Sequence, residues 1–216
     1  MPFSATEAIS YGWKGFTANI GPLVVIGLVL LLVSVATNWL SQGFDNFFLS
    51  ISASVLSMFI SLVISLGLIR AALAILDGRQ PSVEQLLSTR DIGPYFIASV
   101  LVAIVVSVGL LLCIIPGLIA GFLLQFYGYA IIDHKADSVT TAPQSSPTGA
   151  IRASFEVVAA NIGPLILLAV LCFVLNVAGA LLCGIGLLVT VPVTAIAIAY
   201  AWRYFSGGQI AVPASR

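Results

Sequence analysis

Charged side chains are nearly missing from this chain. Only 7% of its 216 residues are Asp, Glu, Lys or Arg, whereas a soluble domain carries about 25%. That excludes a water-soluble body, because so few polar groups cannot coat a chain that is 60% hydrophobic. The mean hydropathy of +1.16 says the same. Eight basic residues balance eight acidic ones, so no basic face exists for nucleic acid. Histidine occurs once, as His134 beside Asp133 in a polar stretch, and cysteine three times. HExxH, P-loop and partnered GxSxG patterns are lacking, and no apolar run holds a paired acid or nucleophile. No catalytic residue, metal ligand or cofactor is therefore expected, and the chain reads as a non-enzyme. A basic leader is also lacking. Met1 to Asn19 is mixed, with Glu7 and Lys14, so the first apolar run reads as a retained helix.

What is there instead is length without charge. A spanning helix needs roughly 20 mostly apolar residues. Six runs qualify: 21–40, 47–76, 94–112, 115–132, 164–182 and 185–205. Lys14, Arg70, Arg79, Arg90, Lys135, Arg152, Arg203 and Arg216 all fall on one side of these runs, and only Asp45 is charged on the other. The positive-inside rule makes the basic side cytoplasmic. Both termini are then cytoplasmic in a bacterial plasma membrane. More polar, helix-like segments precede the odd-numbered runs. Ser4 to Glu7 and Ser82 to Gln85 fit a capping box. Segment 148–160 lacks a clean box but places Ile151, Phe155 and Val158 on one face and Arg152 and Glu156 on another. All three read as helices lying in the interface.

The chain repeats itself. ANIGPL occurs at Ala18 to Leu23 and again at Ala160 to Leu165, and DIGP occurs at Asp91 to Pro94. Without gaps, 92–118 and 162–188 are identical at eleven of 27 positions, including matched Gly109/Gly179 and Cys113/Cys183. Ala74 to Arg79 also resembles Ala130 to Lys135. The expected fold is all-α: six transmembrane helices as three parallel helical-hairpin repeats, each preceded by a cytoplasmic amphipathic helix. The repeat units are 4–80, 81–137 and 147–208 of a single domain 1–216, with a flexible cytoplasmic loop at 134–148.

Tyr11-Gly12-Trp13-Lys14-Gly15-Phe16, with Asn19 and Gly21-Pro22, carries a likeness. So do Cys113-Ile114-Ile115-Pro116-Gly117 and the run from Leu182 to Pro192. Over nearly its whole length the chain resembles uncharacterised actinobacterial integral membrane proteins that read YGWKxFxxNxGP. It is more distantly similar to the membrane domain associated with bacterial glycerophosphodiester phosphodiesterases. The resemblance implies fold and location and brings no activity.

Candidate sites are few. The corners Asn19/Gly21, Asp91/Gly93 and Asn161/Gly163, together with Arg70, are candidate contacts for a lipid or anion at helix N-termini. The competing reading is an interfacial bend in which Asn caps the following helix and Gly turns the chain. Ser50, Ser54, Ser57, Ser61 and Ser65 form a stripe that suits close helix packing, or else a polar route. Asn38, Gln125 and Asn176 suit bonds to neighbouring helices. Cys113 and Cys183 could form a disulfide on the outer side. Pro116-Gly117 and Pro192 interrupt the fourth and sixth runs. The expected role is a non-enzymatic accessory or scaffold protein of the cell envelope, touching membrane lipids, other membrane proteins or its own copies. The alternative is a transporter or channel for an apolar or lipid-like substrate.

Overall fold

A bilayer offers no partners to backbone N–H and C=O groups, so long apolar runs must bond internally as helices. The computed structural model describes residues 3–42, 47–81, 91–133, 146–182 and 186–211. Among these there is no strand. The elements are α1 (Ala5–Ala18), α2 (Ile20–Gln42), α3 (Phe47–Leu76), α4 (Ile92–Leu112), α5 (Ile114–Leu123), α6 (Tyr127–Ile132), α7 (Pro147–Ala160), α8 (Ile162–Leu181) and α9 (Leu187–Ser206).

Five stretches are long and apolar enough to cross a membrane: Val55–Leu76, Ile92–Leu112, Ile114–Ile132, Ile162–Leu181 and Leu187–Ser206. A sixth is counted when α1 and the start of α2, bent by 95°, are taken together. α2 alone has 23 residues and no charged side chain. The chain is thus a helical membrane protein. The segment around Ser82 to Gln85, the loop containing Asp45, His134 and Cys183 lie outside the described residues.

The fourth span, Ile114–Ile132, is interrupted within its length: its helix breaks at Leu124 to Phe126. Neither Gly nor Pro sits there. Ser154 of α7 supplies the missing partners: its hydroxyl donates to the Leu123 carbonyl and accepts the Phe126 N–H, each at 3.0 Å. A helix can stop at membrane depth when a neighbour satisfies the freed groups. Pro116 lies in the first turn of α5, whereas Pro192 is carried inside α9.

Local chemistry sets the ends. Ser4 accepts the Glu7 N–H at 3.4 Å and so starts α1. Ser146 accepts the Gly149 N–H at 3.1 Å, with Pro147 in the first turn, and starts α7. That cap lies just ahead of the segment where no box was read. Gly78 (φ 70°) and Gly207 (φ 75°) adopt the left-handed conformation just past α3 and α9. There the Arg79 N–H returns to the Ala74 carbonyl and the Gly208 N–H to the Arg203 carbonyl, both at 2.9 Å. Glycine adopts this conformation without a Cβ clash.

α9 is the central helix, packed by α1, α2, α3 and α8. α1 lies along it through Ala5, Ala8, Gly12 and Gly15, close enough that a Cβ on Gly12 would clash with the Val193 carbonyl oxygen. α7 also buries its small residues: Gly149, Ala150, Ala153 and Ser154, with Val157 and Val158. Phe155 faces outward and Ile151 is only half-buried, so size did not choose the packed face. Small residues let backbones approach closely, and contact area depends on that approach.

Candidate functional site

The helices α3, α6 and α9 end together at one end of the bundle, here called its base. Arg203, in the last turn of α9, is buried there, as is Asp133 just past α6. The guanidinium grips Asp133 in a two-pronged fork: Nε to Oδ2 at 2.9 Å and Nη2 to Oδ1 at 2.8 Å. Nη1 donates to Asp77 Oδ1, just past α3, and to the Gln209 carbonyl at 3.0 Å. Exposed Arg79 pairs with the other oxygen of Asp77. Two carboxylates thus face two guanidiniums, and the local charge closes to zero. Arginine stays protonated at any physiological pH, so the cation at the centre of this charge lock is permanent.

The C-terminal segment covers this lock. The Ala211 N–H donates to the Leu76 carbonyl at 2.8 Å, and Tyr11 Oη donates to the Ala211 carbonyl at 2.8 Å. A phenol, ordinarily with a pKa of about 10, is protonated at neutral pH, so the Tyr11 hydroxyl is a donor. Trp202, fully buried beside Arg203, packs its ring 5.8 Å from that of Phe126. The base therefore joins α1, α3, α6, α9 and the chain after α9.

The corners are built differently from their expected capping role. Asn19 (φ −131°, ψ 37°) and Asn161 (φ −133°, ψ 38°) share one backbone geometry. Each side chain reaches backwards, donating Nδ2 to the carbonyl four residues earlier: Gly15 at 3.0 Å and Val157 at 2.9 Å. The asparagine thus caps the helix that ends, and no side-chain bond caps α8. Its carbonyl opens the next helix by accepting the Leu23 or Leu165 N–H. Asp91 departs from this pattern, with φ 67° and its Oδ2 3.9 Å from Nη2 of Arg70. Gly21, Gly93 and Gly163 are exposed, with open space where a Cβ would be and no positive φ, so the bend does not depend on them.

The remaining candidates are dispersed. Ser57 and Ser65 are half-buried and Ser61 is exposed, while the side chains of Ser50, Ser54 and Asn38 are outside the described set. Asn176 donates to Thr194 of α9 at 3.3 Å, a bond to a neighbouring helix. Gln125 sits half-buried at the α5–α6 break. Cys113, between α4 and α5, is exposed. Asp77, Asp133 and Arg203 were not singled out from sequence. The matching AILD and AIID helix ends pointed to the two acids, but Arg203 counted only as a topology marker. An open cleft of about 500 Å³ lies between α4, α5 and α7.

No family model and no solved structure matches the chain. Among known proteins it is similar to the uncharacterized protein Rv2560 of Mycobacterium tuberculosis. The two are 32% identical over 239 aligned positions, covering 96% of this chain and 70% of that one. The uncharacterized protein Mb2590 of Mycobacterium bovis matches with the same identity and coverage.

Proposed function

The chain belongs to the family of the mycobacterial proteins Rv2560 and Mb2590, and we propose for it a non-enzymatic accessory or scaffold role in the cell envelope. Its place is the bacterial plasma membrane, with both termini and the base cytoplasmic. Six spans form three parallel hairpin units whose returning helices end at Asp77, Asp133 and Arg203. The observation that carries this reading is the charge lock itself. It ties those ends together, and the residues at its centre are consumed in mutual pairing. Close backbone approach at Gly109–Gly117 and Gly179–Gly186 fits the same hairpin scheme. The transporter reading for a lipid-like substrate finds support in the apolar cleft alone.

Reconstitution of the purified full chain in liposomes separates the two. Dye-lipid scrambling and ion flux are expected to stay at the level of protein-free vesicles. Flux or scrambling that scales with protein would overturn the scaffold role. With Cys113→Ser and Cys183→Ser removing the outer thiols, Asp137→Cys is expected to be protected from a membrane-impermeant maleimide in intact cells; labelling there would reverse the orientation.

A further inference from the structure

The cleft between α4, α5 and α7 has walls that include Val105, Ala120, Leu123 and Phe155, and the polar residues bordering it are Thr148 and Arg152. We propose that it binds one anionic phospholipid of the surrounding bilayer, with an acyl chain along the apolar wall and the phosphate at Arg152.

The cleft is preformed. Ser154 of α7 bonds both sides of the α5–α6 break, so α7 is tied to the helix end that forms the floor. A site built before binding loses little ordering entropy when filled. Its occupant is expected to come from the membrane: Val105 and Phe155, which line it, are each about half exposed, and exposed apolar side chains of a membrane helix bundle suit acyl chains rather than water.

Charge selects the headgroup. Arg152 gives its Nε–H to Glu156 at 2.8 Å, an exposed pair four residues apart on one helix. Such pairs are weak, and the outer nitrogens of the guanidinium fork still suit a phosphate. The cleft surface is almost wholly apolar, so Arg152, and Thr148 one turn before it on α7, border the slot rather than line its interior. A basic group beside an apolar slot between membrane helices is the chemistry that holds anionic headgroups. A choline headgroup brings its own cation against the arginine and is disfavoured. This site is independent of whether the bundle scaffolds or transports.

Native mass spectrometry of the purified full chain, given equimolar dioleoyl phosphatidylglycerol and dioleoyl phosphatidylcholine, tests it. One phosphatidylglycerol is expected to be retained with about fivefold preference. Arg152→Gln is expected to abolish that preference, and Glu156→Gln to raise it by freeing the arginine. Both side chains lie at the surface, so both variants should keep the wild-type melting temperature. Lys14→Gln, on α1, should leave the preference unchanged. Ala120→Phe should lower retention of both lipids; if it does not fold, the opposed Arg152 and Glu156 responses still decide. No retained phosphatidylglycerol, an equal loss in Lys14→Gln, or a Glu156→Gln response of the wrong sign would each overturn the site.

Discussion

At the base of the bundle Arg203 is 2% exposed and bonded to two carboxylates and a carbonyl. Where α4 gives way to α5, Leu111 is 87% exposed and the helices meet through Gly109 and Gly117. The two regions solve association differently. Lipid tails are as apolar as leucine, so hiding leucine between membrane helices gains little, and contact there depends on small residues and close backbones. At the base, the buried Arg203 needs partners, and its two carboxylates come from the ends of two other helices. Pairing by charge names its partner; packing by glycine needs only room.

The largest effect is therefore expected from the lock. Arg203→Met leaves the Asp133 and Asp77 carboxylates buried without their central cation, a loss of about 3–5 kcal/mol. Thermal unfolding in detergent should show a strongly lowered midpoint. Because a buried ion pair and well-packed apolar residues can be nearly equivalent in stability, adding Asp133→Leu and Asp77→Asn should recover much of it. A wild-type midpoint for Arg203→Met alone would mean that the base is held by its apolar neighbours, and the contrast between the regions would collapse.

The next effect probes the glycine contacts. A Cβ on Gly109 would stand 2.8 Å from Gly117 Cα, against backbone that cannot rotate away. Gly109→Ala should cost about 1–3 kcal/mol by overpacking. Gly163 has nothing within 4 Å of such a Cβ. Gly163→Ala should be neutral or stabilising by about 0.4–1 kcal/mol, because alanine narrows the unfolded ensemble. Equal midpoints for the two alanine variants would show that close approach does not hold the α4–α5 connection.

Much of this architecture was legible in sequence because membrane helices are written in length and apolarity. α3 runs over Phe47–Leu76 as its apolar run does, and the other boundaries fall within two residues. The break after Leu123 was hidden, since Leu-Gln-Phe carries no breaker and its partner is Ser154, 31 residues away. The packed face of α7 was hidden for a related reason. Hydropathy ranks Ile151 and Phe155 first, but packing selected alanine and serine. The lock was hidden because counting charges by side assigns Arg203 a topology and no partner. Its fork to Asp133 spans 70 residues of sequence and exists only once α6 and α9 end at one level.

The smallest effect concerns the two corners that share one geometry. Asn19 and Asn161 have the same φ and ψ to within a few degrees and donate to equivalent carbonyls. If the repeated sequence repeats the energetics, Asn19→Ala and Asn161→Ala should each cost about 1 kcal/mol, the net worth of one such hydrogen bond. The corners belong to different helix pairs, so the double variant should add to within about 0.5 kcal/mol. Asn161→Asp should lose as much as alanine, because an ionised carboxylate has no hydrogen to give the Val157 carbonyl. That substitution also asks why the third corner differs. Asp91 cannot make the backward bond, and it sits at φ 67° beside Arg70 instead. Asparagine at 91 is therefore expected to stabilise only if the corner can relax to the geometry of the other two. A melting midpoint unchanged in Asp91→Asn would mean that Arg70 and the surrounding chain hold that corner in its own form, and that a third copy of the letters does not make a third copy of the bend.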